Sequence, residues 1–168
     1  FRRYAIGQVI SLAGFWMQSV AQGWLVFRLS SKSEFALGLV AFIGYLPVFL
    51  FSPLAGVFAD RVDKRRLILV TQSLAMLLAL VQGVIVVTDV ATVPIVAGMA
   101  FLMGLVGAFD LPIRQSFIME LVGVDDLPAA IAFNASVFNT ARVVGPAVAG
   151  VIVATAGEGP CFFLNGVS

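Results

Sequence analysis

The 168-residue chain contains no histidine, so it lacks the commonest general base and the commonest metal ligand. Its single cysteine, Cys161, excludes an internal disulfide. Charge is scarce as well. Only 11% of residues are Asp, Glu, Lys or Arg, against roughly 25% in a soluble domain, which needs them to cover a water-facing surface. What replaces charge is apolar surface: 61% of residues are hydrophobic and the mean hydropathy is +1.07. Such a chain covers a lipid-facing surface, and a hydrocarbon core of about 30 Å is crossed by about 20 apolar helical residues.

Several stretches reach that length. Candidate spans run over residues 4–27, 35–58, 67–88, 94–111 and 127–156, and a sixth apolar run begins at Cys161. Barrel strands alternate apolar and polar residues over about 10 positions. These runs are continuously apolar, so the fold expected is an all-α polytopic membrane protein. Gly44, Pro47, Pro53 and Pro146 fall inside the runs. Membrane helices tolerate them because neighbours can take up the freed backbone groups. Residues 112–126 read as a mixed segment, within which Arg114 to Val122 is a helical extension or a short interfacial helix. Asp125 or Asp126, followed by Pro128, marks the start of the fifth helix. The chain opens at Phe1 and stops inside a new apolar run, so both ends read as cuts in a longer protein. The first run is too long and too polar for a cleavable signal peptide.

Lys and Arg placement sets an expected orientation. With the N-terminus in the cytoplasm, that side carries Arg2, Arg3, Arg61, Lys64, Arg65, Arg66 and Arg114, and the outer side carries Arg28 and Lys32. Cys161 then belongs at the outer end of the sixth helix. The net charge of +1 names no acidic partner and gives no sign of nucleic-acid binding.

Three groups of residues stand out. The first is the run Gly56-Val57-Phe58-Ala59-Asp60-Arg61-Val62-Asp63-Lys64-Arg65-Arg66. Basic residues alone would anchor a helix to anionic headgroups. The interleaved aspartates and the glycine one turn earlier ask for more. Gly56 permits close helix approach, and Asp60 is placed to accept from Arg65 or from a helix N-terminus. The second is Asn139-Thr140-Ala141-Arg142-Val143-Val144-Gly145-Pro146-Ala147-Val148-Ala149-Gly150. Pro146 cannot donate to the carbonyl of Arg142. Ala141, Gly145 and Ala149 make a small-residue stripe suited to close packing. Arg142 falls well inside the span, where arginine costs about 2.5–3.5 kcal/mol on insertion scales. The expectation is an inward-facing Arg142 sharing a face with Asn139, against snorkelling as the alternative.

The third group is the polar stripe of the first span, Gln8, Ser11, Gln18 and Gln22. It reads either as helix–helix hydrogen bonding or as a cavity wall aided by Trp16 and Trp24. Gln18, Gln22, Asn139 and Arg142 are the candidate cavity-lining residues. Ala100, Gly104 and Ala108 form a second small stripe, expected to serve packing. Asp110 has two candidate partners, Arg114 at i+4 or the basic loop. No Asp or Glu is expected mid-span, and no metal site or cofactor is expected.

The first run resembles the loop motif between helices two and three of the major facilitator superfamily. Gly56, Asp60, Arg61, Arg65 and Arg66 match it, and Asp63 stands where that family usually has a second glycine. Gly145-Pro146-Ala147-Val148-Ala149-Gly150 is similar to the Gly-Pro motif of the proton-coupled exporters, with Ala132 and Ala141 in place of two earlier glycines. The arginine that the superfamily often carries in its fourth helix is missing. Two longer strings add to this. Phe109–Phe117 with Glu120-Leu121-Val122, and Asp126–Ala132 with Phe138-Asn139 and Ala141-Arg142, resemble the branch of enterobactin exporters and macrolide-efflux-like proteins.

The resemblance implies the N-terminal six-helix bundle of a twelve-helix fold, with its second half absent. It implies alternating access, a conformational latch at Gly56, Asp60, Arg61, Arg65 and Arg66, and a helix-five motif of Arg142, Gly145, Pro146 and Gly150. It further implies proton-coupled efflux of a small organic molecule of the drug or siderophore class across the inner (plasma) membrane. Membrane lipid and protons are the expected partners. The rivals are facilitated uptake and a non-transporting membrane scaffold or sensor. An enzyme is not expected.

Overall fold

The computed structural model describes residues 2–59, 62–122 and 127–168. Among the described residues six helices follow one another: α1 (Arg2–Leu29), α2 (Glu34–Ala59), α3 (Lys64–Val87), α4 (Val93–Val122), α5 (Leu127–Ala156) and α6 (Gly159–Val167). Among the described residues, five helices are long and apolar enough to cross a membrane. The chain is therefore all-helical and multi-pass.

The connections follow local chemistry. α1 ends where Ser31 and Lys32 turn to positive φ, with the Lys32 N–H donating back to Phe27 O at 2.8 Å. α3 ends at Thr88, and Asp89 follows at φ 55°. α5 ends at Gly157, whose φ of 80° suits a residue without Cβ and whose N–H reaches Val153 O. α3 starts three residues earlier than the hydrophobic pattern suggests, because Asp63 caps it. Asp63 Oδ1 accepts from the N–H groups of Arg65 and Arg66 at 3.0 and 3.2 Å.

α4 decides between the two readings of the segment after Leu111 in favour of the helical extension. It does not stop at Leu111 but runs through Pro112 to Val122, and the membrane-length stretch extends to Phe117. In a membrane helix the carbonyl freed by Pro112 is tolerated when neighbours satisfy it. Asp110, expected at the very end of the fourth span, therefore lies somewhat inside it, toward the end that closes at Phe117.

Packing is pairwise. α2 lies along α4, α1 along α5, and α3 against both α4 and α6, while α6 also packs on α1. Small residues set two of these crossings. A Cβ added at Gly104 of α4 would run into the carbonyl of Gly44 in α2, and Ala100 and Ala108 beside it are buried. A Cβ added at Gly145 of α5 would lie 2.6 Å from Trp16 Cβ and 3.1 Å from Ala13 O in α1, flanked by buried Ala141 and Ala149. Without a solvent-driven hydrophobic force between helices in lipid, such close backbone approach supplies much of the attraction. The core, including Leu25, Val26, Val96, Cys161 and Phe162, is small. Large apolar side chains such as Phe35, Phe49 and Val143 are exposed on the outside, as a lipid-facing surface requires.

Candidate functional site

The glutamines of α1 enter a buried hydrogen-bonded chain. Gln18 Nε2 donates to Gln82 Oε1 at 3.3 Å, and Gln82 Nε2 donates to Gln22 Oε1 at 3.2 Å. Asn165 Nδ2 donates to Gln18 Oε1. Gln18 and Gln82 are almost fully buried. The chain joins α1, α3 and α6, and each amide left alone in an apolar interior would carry the cost of an unmade bond. Of the two readings open for the α1 stripe, the geometry here is helix–helix hydrogen bonding. Gln82 and Asn165 were not singled out in the sequence. An amide within an otherwise apolar run is the signal that would have found them.

One turn-and-a-half from the start of α1, Gln8 joins a second cluster. Asp110 Oδ2 accepts from Arg114 Nη2 at 2.8 Å and from Arg114 Nε at 3.0 Å. Asp110 Oδ1 accepts from Thr71 Oγ1 at 2.7 Å and from Gln72 Nε2 at 3.1 Å. Arg114 Nη1 also donates to Gln8 Oε1. Of the two partners considered for Asp110, the structure selects Arg114. Their side chains are 13% and 16% exposed, so this pair is largely withdrawn from solvent. All four donors to Asp110 come from the protein, which leaves it well matched to α3 and α4 and not open to a ligand.

Arg142 stands apart from these satisfied groups. It lies midway along the 30-residue α5 and its side chain is exposed. Its guanidinium carbon sits 5.8 Å from the centroid of the Trp16 ring, within cation–π range. Phe138 meets the same ring edge-on at 5.7 Å, and Phe15 does so at 5.8 Å. Asn139, also exposed, donates through Nδ2 to Ala135 O at 2.8 Å. Gly145 is what lets Trp16 come this close to α5. Pro146 lies within α5 without ending it and offers no N–H to the Arg142 carbonyl. Gly150 is exposed, and a Cβ there would meet nothing within 4 Å. Gln18 and Gln22 thus sit in the α1–α3–α6 network, while Asn139 and Arg142 sit together on the exposed side of α5.

The latch residues divide. Asp60 and Arg61 lie outside the described residues. Gly56 has open space among the described residues: an added Cβ would meet none of them within 4 Å. Arg65 and Arg66 are exposed at the start of α3. Asp63 performs the helix-capping role considered for Asp60, and its Oδ2 is also 3.4 Å from Arg66 Nε. At the other end of α1, Arg28 Nε donates to Glu158 Oε1 at 2.9 Å and Arg28 Nη2 to Glu158 Oε2 at 3.3 Å. That pair ties α1 to the start of α6, and Cys161 below it is completely buried. Among the described residues no three of His, Cys, Asp and Glu come together as metal ligands would.

The family model described as transmembrane secretion effector matches residues 1–168. The chain is 31% identical over 142 residues to the staphyloferrin A transporter of Staphylococcus aureus (strain NCTC 8325 / PS 47). That alignment covers 84% of this chain and 36% of the relative, so the chain spans about a third of the curated relative it matches. No solved structure matches it.

Proposed function

Because the chain belongs to the transmembrane secretion effectors of the major facilitator superfamily, we propose that residues 1–168 form the N-terminal bundle of a secondary transporter that exports a small organic molecule of the drug or siderophore class. The family match over the whole chain is the observation that carries this reading. The likeness to a staphyloferrin A transporter supports a small-molecule cargo. Folds of this kind hold substrate near the bilayer midplane between two helical bundles and alternate access by rocking one against the other.

Within that reading, each group has a task. The glutamine chain and the Asp110–Arg114 cluster hold α1, α3, α4 and α6 as one body. The glycine crossings at Gly104 and Gly145 hold the helix pairs. The run from Gly56 to Arg66 latches this half to the other, with Asp60 and its neighbouring arginines as the contact. Arg142 and Asn139 line the cavity, and Pro146 loosens the backbone beside them. Protons supply the driving force. Asp110 already has four protein donors, so the proton carrier belongs to the remainder of the transporter or to the substrate. The N-terminus lies in the cytoplasm and the membrane is the inner (plasma) membrane.

Everted vesicles containing the full-length protein test this. They should accumulate a fluorescent efflux substrate such as ethidium or carboxyfluorescein when a proton gradient is imposed, and lose it on adding a protonophore. Gradient-independent equilibration would indicate facilitated transport instead. No protein-dependent flux of any tested solute would indicate a scaffold.

A further inference from the structure

Three arginines of the described spans can be compared directly. Arg28 has Glu158 and Arg114 has Asp110. Arg142 has no ion pair and no hydrogen bond with any described residue, and its contact is the face of Trp16. It is also the deepest of the three, midway along α5, with about 20 Å of helix on either side. Were α5 centred in a hydrocarbon core of about 30 Å, either headgroup layer would lie about 15 Å away, a long reach for an arginine side chain. A guanidinium does not lose its proton, so the positive charge persists at that depth. An aromatic ring face offsets such a charge only partly.

The surroundings of Arg142 are those of a site for a particular kind of molecule. Asn139 has used one Nδ2–H on Ala135 O and keeps a second to offer. Trp16 Nε1 is a buried donor without an acceptor among the described residues. Phe15 and Phe138 stand edge-on to the indole and are themselves partly exposed. The cluster therefore offers donors and positive charge beside aromatic surface, and among the described residues no acceptor carboxylate answers it.

Resting on the transporter reading above, we propose that Arg142, Asn139 and Trp16 form an anion-accepting subsite that selects substrates carrying a carboxylate, or a like oxyanion, on an apolar or planar body. The planar guanidinium takes the oxyanion bidentately, Asn139 donates to it, and the aromatic group receives the adjoining apolar part.

The test uses full-length protein in phosphatidylcholine nanodiscs and three ligands with one ring system: 1-naphthoate, 1-naphthamide and 1-naphthylmethylammonium. Binding is read by equilibrium dialysis. The parent should prefer naphthoate over both others by at least tenfold. Arg142→Gln should remove that preference, while Arg142→Lys, which keeps charge but not the planar fork, should recover part of it. Monodisperse elution of each variant establishes that the loss is local. Equal binding of the three ligands by the parent would overturn the proposal, and so would a naphthoate preference that survives Arg142→Gln. Loss of naphthoate binding on changing the discs to phosphatidylglycerol would assign the charge to a lipid headgroup and would also overturn it. The transporter reading is judged separately, by flux in proteoliposomes. Arg142-dependent anion binding without flux would sink that reading and leave the subsite standing.

Discussion

Replacing Asp110 by leucine should destabilise the bundle severely, and replacing Asp110 and Arg114 together should not. In the parent, the two are joined by bonds of 2.8 and 3.0 Å and are mostly shielded. Breaking a buried pair by removing one partner costs about 3–5 kcal/mol, because the other charge is left uncompensated. An unpaired arginine at the centre of a span costs about 2.5–3.5 kcal/mol by an independent scale, which is an upper bound for Arg114 near the end of its span. Removing both charges eliminates that penalty. It leaves only the hydrogen bonds with Thr71, Gln72 and Gln8 unmade, at about 0.6 kcal/mol each within a membrane. Each single variant should therefore lose about 3–4 kcal/mol and the double variant about 2 kcal/mol. The double-mutant cycle should then miss additivity by several kcal/mol. Steric-trapping measurements of unfolding on the full-length protein in bilayer discs read these values. A double variant whose loss equals the sum of the singles within about 0.5 kcal/mol would refute the reasoning and make each residue an independent packing element.

Other outcomes follow from the same geometry. Gly145→Ala should lower stability by about 1–3 kcal/mol through overpacking, since its Cβ would lie 2.6 Å from that of Trp16. Gly56→Ala, with open space at its Cβ, should not destabilise the fold, and thermal unfolding of the two variants gives the comparison. Cys161 is completely buried, so an impermeant maleimide should label it slowly in the native protein and fully in detergent-unfolded protein. Orientation is better read from Lys32→Cys in a Cys161→Ser background, because Lys32 is exposed. Labelling of that cysteine from the cytoplasmic side alone would invert the proposed topology. Asp60→Asn should reduce flux in full-length protein at unchanged expression. Normal flux would reduce the basic run to a lipid anchor.

Continuous apolar runs made the spans legible, because length and hydropathy alone decide whether a helix crosses a bilayer. The small stripes at Ala100–Gly104–Ala108 and Ala141–Gly145–Ala149 were legible too, since spacing of i, i+4, i+8 places them on one helix face. The extent of α4 was not. Pro112 and the polar residues after it leave a helical extension and a separate short helix equally open, and the structure shows one helix on to Val122. Asp63 as the cap of α3 was hidden by its neighbour Asp60, an equally good capping residue by type. The fate of the α1 glutamines was undecidable from α1 alone, because a hydrogen-bonding partner and a cavity wall ask for the same residue types. Gln82 and Asn165, 64 and 147 positions from Gln18, supply hydrogen-bonding partners that α1 alone does not reveal. Arg142 was conspicuous by its cost, but that no carboxylate among the described residues pairs with it is visible only once the helices are assembled.

The central claim is that this chain is one moving half of a two-half transporter, and expressing the protein as two separate chains tests it most directly. A portion containing residues 1–168, and a portion containing the remainder of the full-length protein, are produced alone and together. Everted vesicles from each strain are then assayed for proton-driven accumulation of a substrate that the intact protein transports. Neither portion alone should accumulate it, and the two together should restore saturable, gradient-dependent uptake into the vesicles. Saturable accumulation by the N-terminal portion alone would contradict the account.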